Sequence, residues 1–137
     1  MPNIFITRPI PDRGIKRLQA EGFTVVVNPH DEPLGREGLL AALATKEYDA
    51  ILCDLDDKIT DEVLAAAAPQ VKIFANYAVG YDNIDVAAAQ KRGVYVSNTP
   101  GVLTETVAEH TFALMLDIAR RVVESHRYLR AGKNHGW

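Results

Sequence analysis

The chain has 137 residues, 47% hydrophobic and 24% charged, which suits one soluble globular domain with a real core and leaves no case for disorder. A net charge of −3 provides no basic footprint for nucleic acid, and a single cysteine, Cys53, excludes an internal disulfide and any cysteine-cluster metal site. No apolar run reaches the roughly 18–20 residues of a membrane span, so a cytoplasmic protein without membrane contact is expected. In chain order, Asn3 to Thr7 reads as a short apolar strand, broken by Pro9 and Pro11 ahead of a helix near Asp12 to Glu21 that Gly22 closes. Thr24 to Asn28 is a β-branched strand, and a loop with Pro29 and Pro33 leads to a helix over Arg36 to Thr45. Tyr48 to Cys53 is the third strand. Thr60, Asp61 and Glu62 suit the start of a helix through Ala68 by capping and by dipole. Pro69 precedes a fourth strand over Val71 to Ala75, Val86 to Arg92 forms a helix closed by Gly93, and Val94 to Val96 is the fifth strand.

Five short strands alternating with helices predict a parallel sheet covered on both faces, with right-handed crossovers. Ligands of such sheets bind beyond the carboxyl ends of the strands. Here that edge carries Thr7-Arg8-Pro9, Cys53-Asp54-Leu55 and the loop Ala75-Asn76-Tyr77-Ala78-Val79-Gly80-Tyr81-Asp82-Asn83-Ile84-Asp85. Gly80 is the loop residue free of the Cβ restriction, so the backbone there can turn sharply or come close to a bound group. Amides of Val79, Gly80 and Tyr81, with a helix start behind them, would make an anion site that needs no basic side chain. The plainer reading, in which Gly80 only permits a turn, is left open by these residues. For Asp54 and Asn98, a strand-end cap and a turn residue are readings at least as good as any site role.

After Asn98-Thr99-Pro100-Gly101 the character changes. Thr104 is a suitable N-cap, and Glu105 and Glu109 favour the first turns of a helix expected to run to about Arg130. Its 27 residues would span about 40 Å. Val107, Thr111, Leu114, Ile118 and Val122 form one stripe and Ala108, Phe112, Met115, Ala119 and Val123 another. A helix so apolar needs a cover, and a homodimer through Val107 to Val123 is expected. The expected division is residues 1–100 as one domain and 101–137 as a helix and tail.

The block Asn76-Tyr77-Ala78-Val79-Gly80-Tyr81-Asp82-Asn83-Ile84-Asp85, followed by Lys91-Arg92-Gly93-Val94-Tyr95-Val96-Ser97-Asn98-Thr99-Pro100, resembles the D-isomer-specific 2-hydroxyacid dehydrogenases, and among them the glyoxylate/hydroxypyruvate reductases. The likeness extends from Ile4-Phe5-Ile6-Thr7-Arg8 to Arg127-Tyr128-Leu129-Arg130-Ala131-Gly132. It implies a flavodoxin-like α/β domain, doubly wound with strand order 2-1-3-4-5, then a long interdomain helix that begins a nucleotide-binding domain. It implies hydride transfer between NAD(H) or NADP(H) and a small 2-oxo or 2-hydroxy acid. By the same resemblance, amides at Val79 and Gly80 hold the substrate carboxylate, Leu55 and Leu103 lie beside the substrate, and Thr104 lies beside the nicotinamide.

The family's catalytic Arg, Glu and His follow a dinucleotide fingerprint, and no G-x-G-x-x-G occurs among the nine glycines of this chain. None of His30, His110, His126 and His135 is expected to take their place. The resemblance therefore implies the substrate-domain portion of a dehydrogenase (a cut piece, a proteolytic product or a truncated gene), inactive alone, with no catalytic residue, metal or bound cofactor of its own. Two alternatives carry different chemistry. One is a non-catalytic dimerisation module on the same fold. The other is a phosphoacceptor receiver domain using Asp54, which lacks the acidic pair after strand one and the lysine after strand five.

Overall fold

The computed structural model describes residues 1–136; Trp137, the end of the expected tail, lies outside the described residues. Five strands, β1 (Asn3–Ile6), β2 (Thr24–Val27), β3 (Ala50–Cys53), β4 (Ile73–Asn76) and β5 (Tyr95–Ser97), form one parallel sheet in the order β2-β1-β3-β4-β5. This is the flavodoxin-like arrangement. Between them lie α1 (Asp12–Ala20), α2 (Gly35–Thr45), α3 (Asp61–Ala67) and α4 (Val86–Lys91). The chain divides into two compact units, residues 1–100 and the residues from Gly101 onward.

The register explains the core. Val26 pairs with Phe5, Phe5 with Ile51, Ile51 with Phe74 and Phe74 with Val96, one residue from each strand in a row across the sheet. Because side chains alternate along a strand, this row lies on one face. There it meets Leu39 of α2, Val63 and Leu64 of α3, and Ala88 and Ala89 of α4. Phe74, Ile51 and Leu64 are fully buried, and removing each from water stabilises the fold by about 1.5–3 kcal/mol.

The opposite face is covered unevenly. The step from β1 to β2 runs one way along the sheet and all later steps run the other way, so right-handed crossovers put α1 on one side and α2, α3 and α4 on the other. Ile4 and Ile6 are buried on the α1 side, but their register neighbours Ala50, Leu52, Ile73 and Ala75 are only half-buried and Tyr95 is exposed.

Local signals act as expected at two helix starts. The Thr60 hydroxyl accepts from the Val63 N–H at 3.5 Å, and Asp85 Oδ1 accepts from the Ala88 N–H at 2.9 Å.

In the second unit the expected single helix is corrected. The helix α5 (Thr104–Arg120) stops at Arg121, whose φ of 53° and ψ of 40° are left-handed, and α6 (Val122–Arg130) restarts beyond it. Seventeen residues make α5 about 26 Å long, not 40 Å. No glycine or proline marks the break. A non-glycine residue in this conformation costs about 1–2 kcal/mol; the Arg121 N–H bonds the Ile118 carbonyl at 3.1 Å, and its Nε pairs with Glu124 at 2.5 Å, which offsets part of that cost. The start is corrected too. Leu103, not Thr104, occupies the N-cap position and no side chain caps it, because Gly101, at φ 83°, begins a turn whose carbonyl receives the Thr104 N–H at 3.4 Å. Every residue of α5 except Asp117 is exposed. Among the described residues no helix is long and apolar enough to cross a membrane.

Candidate functional site

The loop from β4 to α4 is held at both ends before its middle is considered. Ile59 pairs with Ile84 in an isolated parallel bridge, its N–H reaching the Asn83 carbonyl at 2.8 Å and its own carbonyl receiving the Asp85 N–H at 2.9 Å. In the middle, three consecutive carbonyls each have a different donor. The Thr99 N–H donates to the Ala78 carbonyl at 2.9 Å, Asn98 Nδ2 to the Val79 carbonyl at 2.8 Å, and Asn76 Nδ2 to the Gly80 carbonyl at 2.8 Å. In a trans peptide the N–H points away from the C=O of the same plane. The amides of Val79, Gly80 and Tyr81 therefore face away from the groups that anchor their planes. Among the described residues none of the three donates to a protein acceptor. Three adjacent unpaired N–H donors are a ready acceptor site for an anion.

Gly80 separates its two possible uses. It is not among the residues with positive φ, so no left-handed conformation demands a glycine there. A Cβ built on it would meet only Asp82 Oδ2, at 3.7 Å, an ordinary contact. Nothing in the packing of the chain demands glycine at this position, and the backbone there is open to close approach.

Behind the loop lies a buried polar network. Asn83, 5% exposed, receives one Asn76 Nδ2 proton at 3.0 Å and donates its own amide protons to the carbonyls of Asp54 and Asp57, both at 3.0 Å. Asp57 is fully buried. Its Oδ2 accepts from the Thr7 hydroxyl at 2.5 Å and from the Asp54 N–H at 2.9 Å, while its Oδ1 has no partner. These bonds tie the ends of β1, β3 and β4 to one another. The Cys53 thiol, 3.4 Å from Asn76 Oδ1, is pushed up to about 12, first by burial and then by the charge of Asp57, so it remains a protonated donor.

The carboxyl edge between β1 and β3 is otherwise filled. Arg8 reaches Asp31 at 3.0 Å, Asp56 at 3.1 Å and Asp54 at 3.6 Å. The hydrogen bond to Asp31, with the charge of all three carboxylates, holds the Arg8 guanidinium above its ordinary value. The crevice there, lined by Thr7, Arg8, Cys53, Asp54 and Tyr77, holds only about 10 Å³, room for one water. Asp54, the receiver-like aspartate, is engaged by Arg8, and its Oδ1 accepts the Leu55 N–H at 2.5 Å. Open space lies instead beside the glycine loop, in a shallow pocket lined by Tyr81, Val86, Val96 and Asn98. Leu55 and Val79 present exposed apolar side chains in the first unit. Leu103 and Thr104, also exposed, belong to the second unit, at the start of α5. His110 and His126 are exposed on α5 and α6. No group of three metal-ligating side chains occurs among the described residues.

Comparison with known proteins accounts for this combination of sheet and glycine loop. Residues 4–134 match the model of the D-isomer specific 2-hydroxyacid dehydrogenase catalytic domain. The chain belongs to this family of oxidoreductases. It is 48% identical over 132 residues to the glyoxylate reductase of Korarchaeum cryptofilum, covering 96% of this chain and 39% of that protein. A crystal structure of a Thermus thermophilus protein superposes with a TM-score of 0.85 at 37% identity, covering 98% of this chain and 42% of that one. The NAD+-bound 3-phosphoglycerate dehydrogenase of Entamoeba histolytica superposes with a TM-score of 0.68 at 28% identity, over 85% of this chain and 38% of that one. The chain thus spans about two-fifths of the length of these relatives.

Sequence reasoning named the loop but missed what orients it. Asn98 read as a turn residue, and Asn76 and Asn83 had no role of their own. The available signal was an asparagine at the end of each of two adjacent strands, opposite a loop whose carbonyls need donors.

Proposed function

We propose that this chain is the substrate-binding portion of an NAD(P)-dependent D-2-hydroxyacid dehydrogenase whose longer form reduces a small 2-oxo acid, glyoxylate or hydroxypyruvate. The observation that carries this reading is that the consecutive N–H groups of Val79, Gly80 and Tyr81 have no protein acceptor while the carbonyls of the same peptide planes are bonded. A carboxylate accepts such bonds strongly because it is charged. By the family resemblance, Leu55 and Leu103 are assigned to substrate contact and Thr104 to the nicotinamide. The residues present do not form a dinucleotide cradle, since no G-x-G-x-x-G occurs among the nine glycines. The cofactor, NAD(H) or NADP(H), and the acid–base groups are therefore assigned to the remainder of the longer protein; by itself the chain would bind substrate weakly and turn nothing over. The exposed apolar residues of α5 support a homodimer through Val107 to Val123. A cytoplasmic location agrees with the soluble dehydrogenase chemistry.

The test is a fusion of residues 1–137, in alignment register, to the remaining part of the Korarchaeum glyoxylate reductase, assayed by loss of reduced nicotinamide absorbance. The fusion is expected to reduce glyoxylate, and Gly80→Val to lower kcat/KM by at least about tenfold by crowding the carboxylate. A folded fusion that binds reduced nicotinamide but reduces no 2-oxo acid would overturn the proposal.

A further inference from the structure

We propose that Asn98 and Asn76 are positioning residues of the carboxylate site, whose side-chain amides set the direction of the Gly80 and Tyr81 N–H groups. The inference rests on the reading of the glycine loop as that site. A peptide plane in an exposed loop has two orientations of similar backbone energy. In one its N–H faces the ligand, and in the other its carbonyl oxygen does, which would repel a carboxylate. The plane between Val79 and Gly80 is held in the first by Asn98 Nδ2 at 2.8 Å, and the plane between Gly80 and Tyr81 by Asn76 Nδ2 at 2.8 Å. Water could satisfy the exposed Val79 carbonyl nearly as well, so the Asn98 bond contributes little net stability. Its effect is on which way the plane faces.

Asn76 is itself prevented from turning its amide round. Its second Nδ2 proton goes to Asn83 Oδ1 at 3.0 Å, and Asn83 is fixed by two backbone carbonyls that accept only from its Nδ2. On the other side, Asn76 Oδ1 lies 3.4 Å from the Cys53 sulfur, whose single proton also has the Ala75 carbonyl within 3.7 Å. The Gly80 carbonyl and Asn83 Oδ1 both require nitrogen on their side of the Asn76 amide, and Asn76 Oδ1 in turn accepts from Asn83 Nδ2 at 3.2 Å. The direction of the Gly80 carbonyl is inherited from the core.

The experiment uses the isotope-labelled chain of residues 1–137 with oxalate as the probe, its affinity read from amide shifts. Asn98→Ala removes the donor at a partly exposed position, and Asn98→Asp keeps the shape but replaces donor by acceptor. Expected are a loss of affinity of about fivefold for Asn98→Ala, the worth of one neutral hydrogen bond, and a larger loss for Asn98→Asp. Without oxalate, the carbonyl carbon of Val79 and the amide of Gly80 should move in both variants while the thermal midpoint of Asn98→Ala is nearly unchanged. A merely structural role would show the reverse. Unaltered affinity in folded variants, with the parent chain binding oxalate, overturns the inference alone. Failure of the parent chain to bind oxalate overturns the reading of the site and this inference with it.

Discussion

Cys53 is fully buried at the end of β3, and its thiol is pushed from an ordinary value of 9.0 to about 12, chiefly by burial. As pH rises, the unfolded chain gives up this proton first, so the stability present below about 9 is lost progressively between about 9 and 12. Denaturant midpoints should therefore fall over that alkaline range, and less steeply in Cys53→Ala. A midpoint with the same pH slope in both proteins would contradict the burial account. The thiol should also resist maleimide until the chain unfolds. The conformation of Gly80 was only partly legible in the sequence. Its neighbours left open a turn or a close approach, and only the structure shows that neither a left-handed φ nor crowding at its Cβ demands glycine. The roles of Asn76 and Asn98 were not legible at all, since a hydrogen bond between Asn98 and Val79, 19 positions apart in the chain, depends on strands β4 and β5 lying side by side.

The helices and strands were legible where residue type and punctuation agreed. Thr24 to Val27 is β-branched throughout, and Gly22 and Gly93, at φ 86° and 69°, end the helices they were expected to end. The break at Arg121 was not legible. The apolar stripes continue through Val122 and Val123, and a stripe reports which face is apolar, not where a left-handed residue interrupts the backbone. The stripe retains its consequence. Phe112, Leu114 and Ile118 are 63%, 51% and 76% exposed on α5. Covering each of them should stabilise an assembly by about 1.5–3 kcal/mol before the entropy of association is subtracted. Sedimentation is expected to show a dimer or higher assembly, and Leu114→Asp combined with Ile118→Asp to give monomer or an aggregating chain. A compact monomer of the unmutated protein would remove the dimer proposal.

At the scale of the whole molecule, the alternation of short strands and helices was enough to specify a parallel sheet, and the family resemblance gave the order 2-1-3-4-5 that the structure shows. The uneven cover of the sheet was not visible in the sequence. All five strands read as apolar runs, yet one face is closed by three helices and the other is half-buried beyond β1. Covering a face depends on which helices the crossovers deliver to it, a property of topology and not of any strand. The candidate site has the same origin. The sheet order sets the ends of β4 and β5 side by side, where Asn76 and Asn98 bond the Gly80 and Val79 carbonyls and the Thr99 N–H bonds the Ala78 carbonyl.

The central claim is that the N–H groups of Val79, Gly80 and Tyr81 bind a small carboxylate, and the most direct test is an amide-resolved NMR titration of residues 1–137 with glyoxylate or oxalate. The account predicts shifts centred on Val79, Gly80 and Tyr81, saturating with a dissociation constant in the millimolar range, about −4 kcal/mol. Shifts centred instead on Asp54, appearing with magnesium and a phosphoryl mimic, or a glycine loop unmoved by any carboxylate, would contradict it.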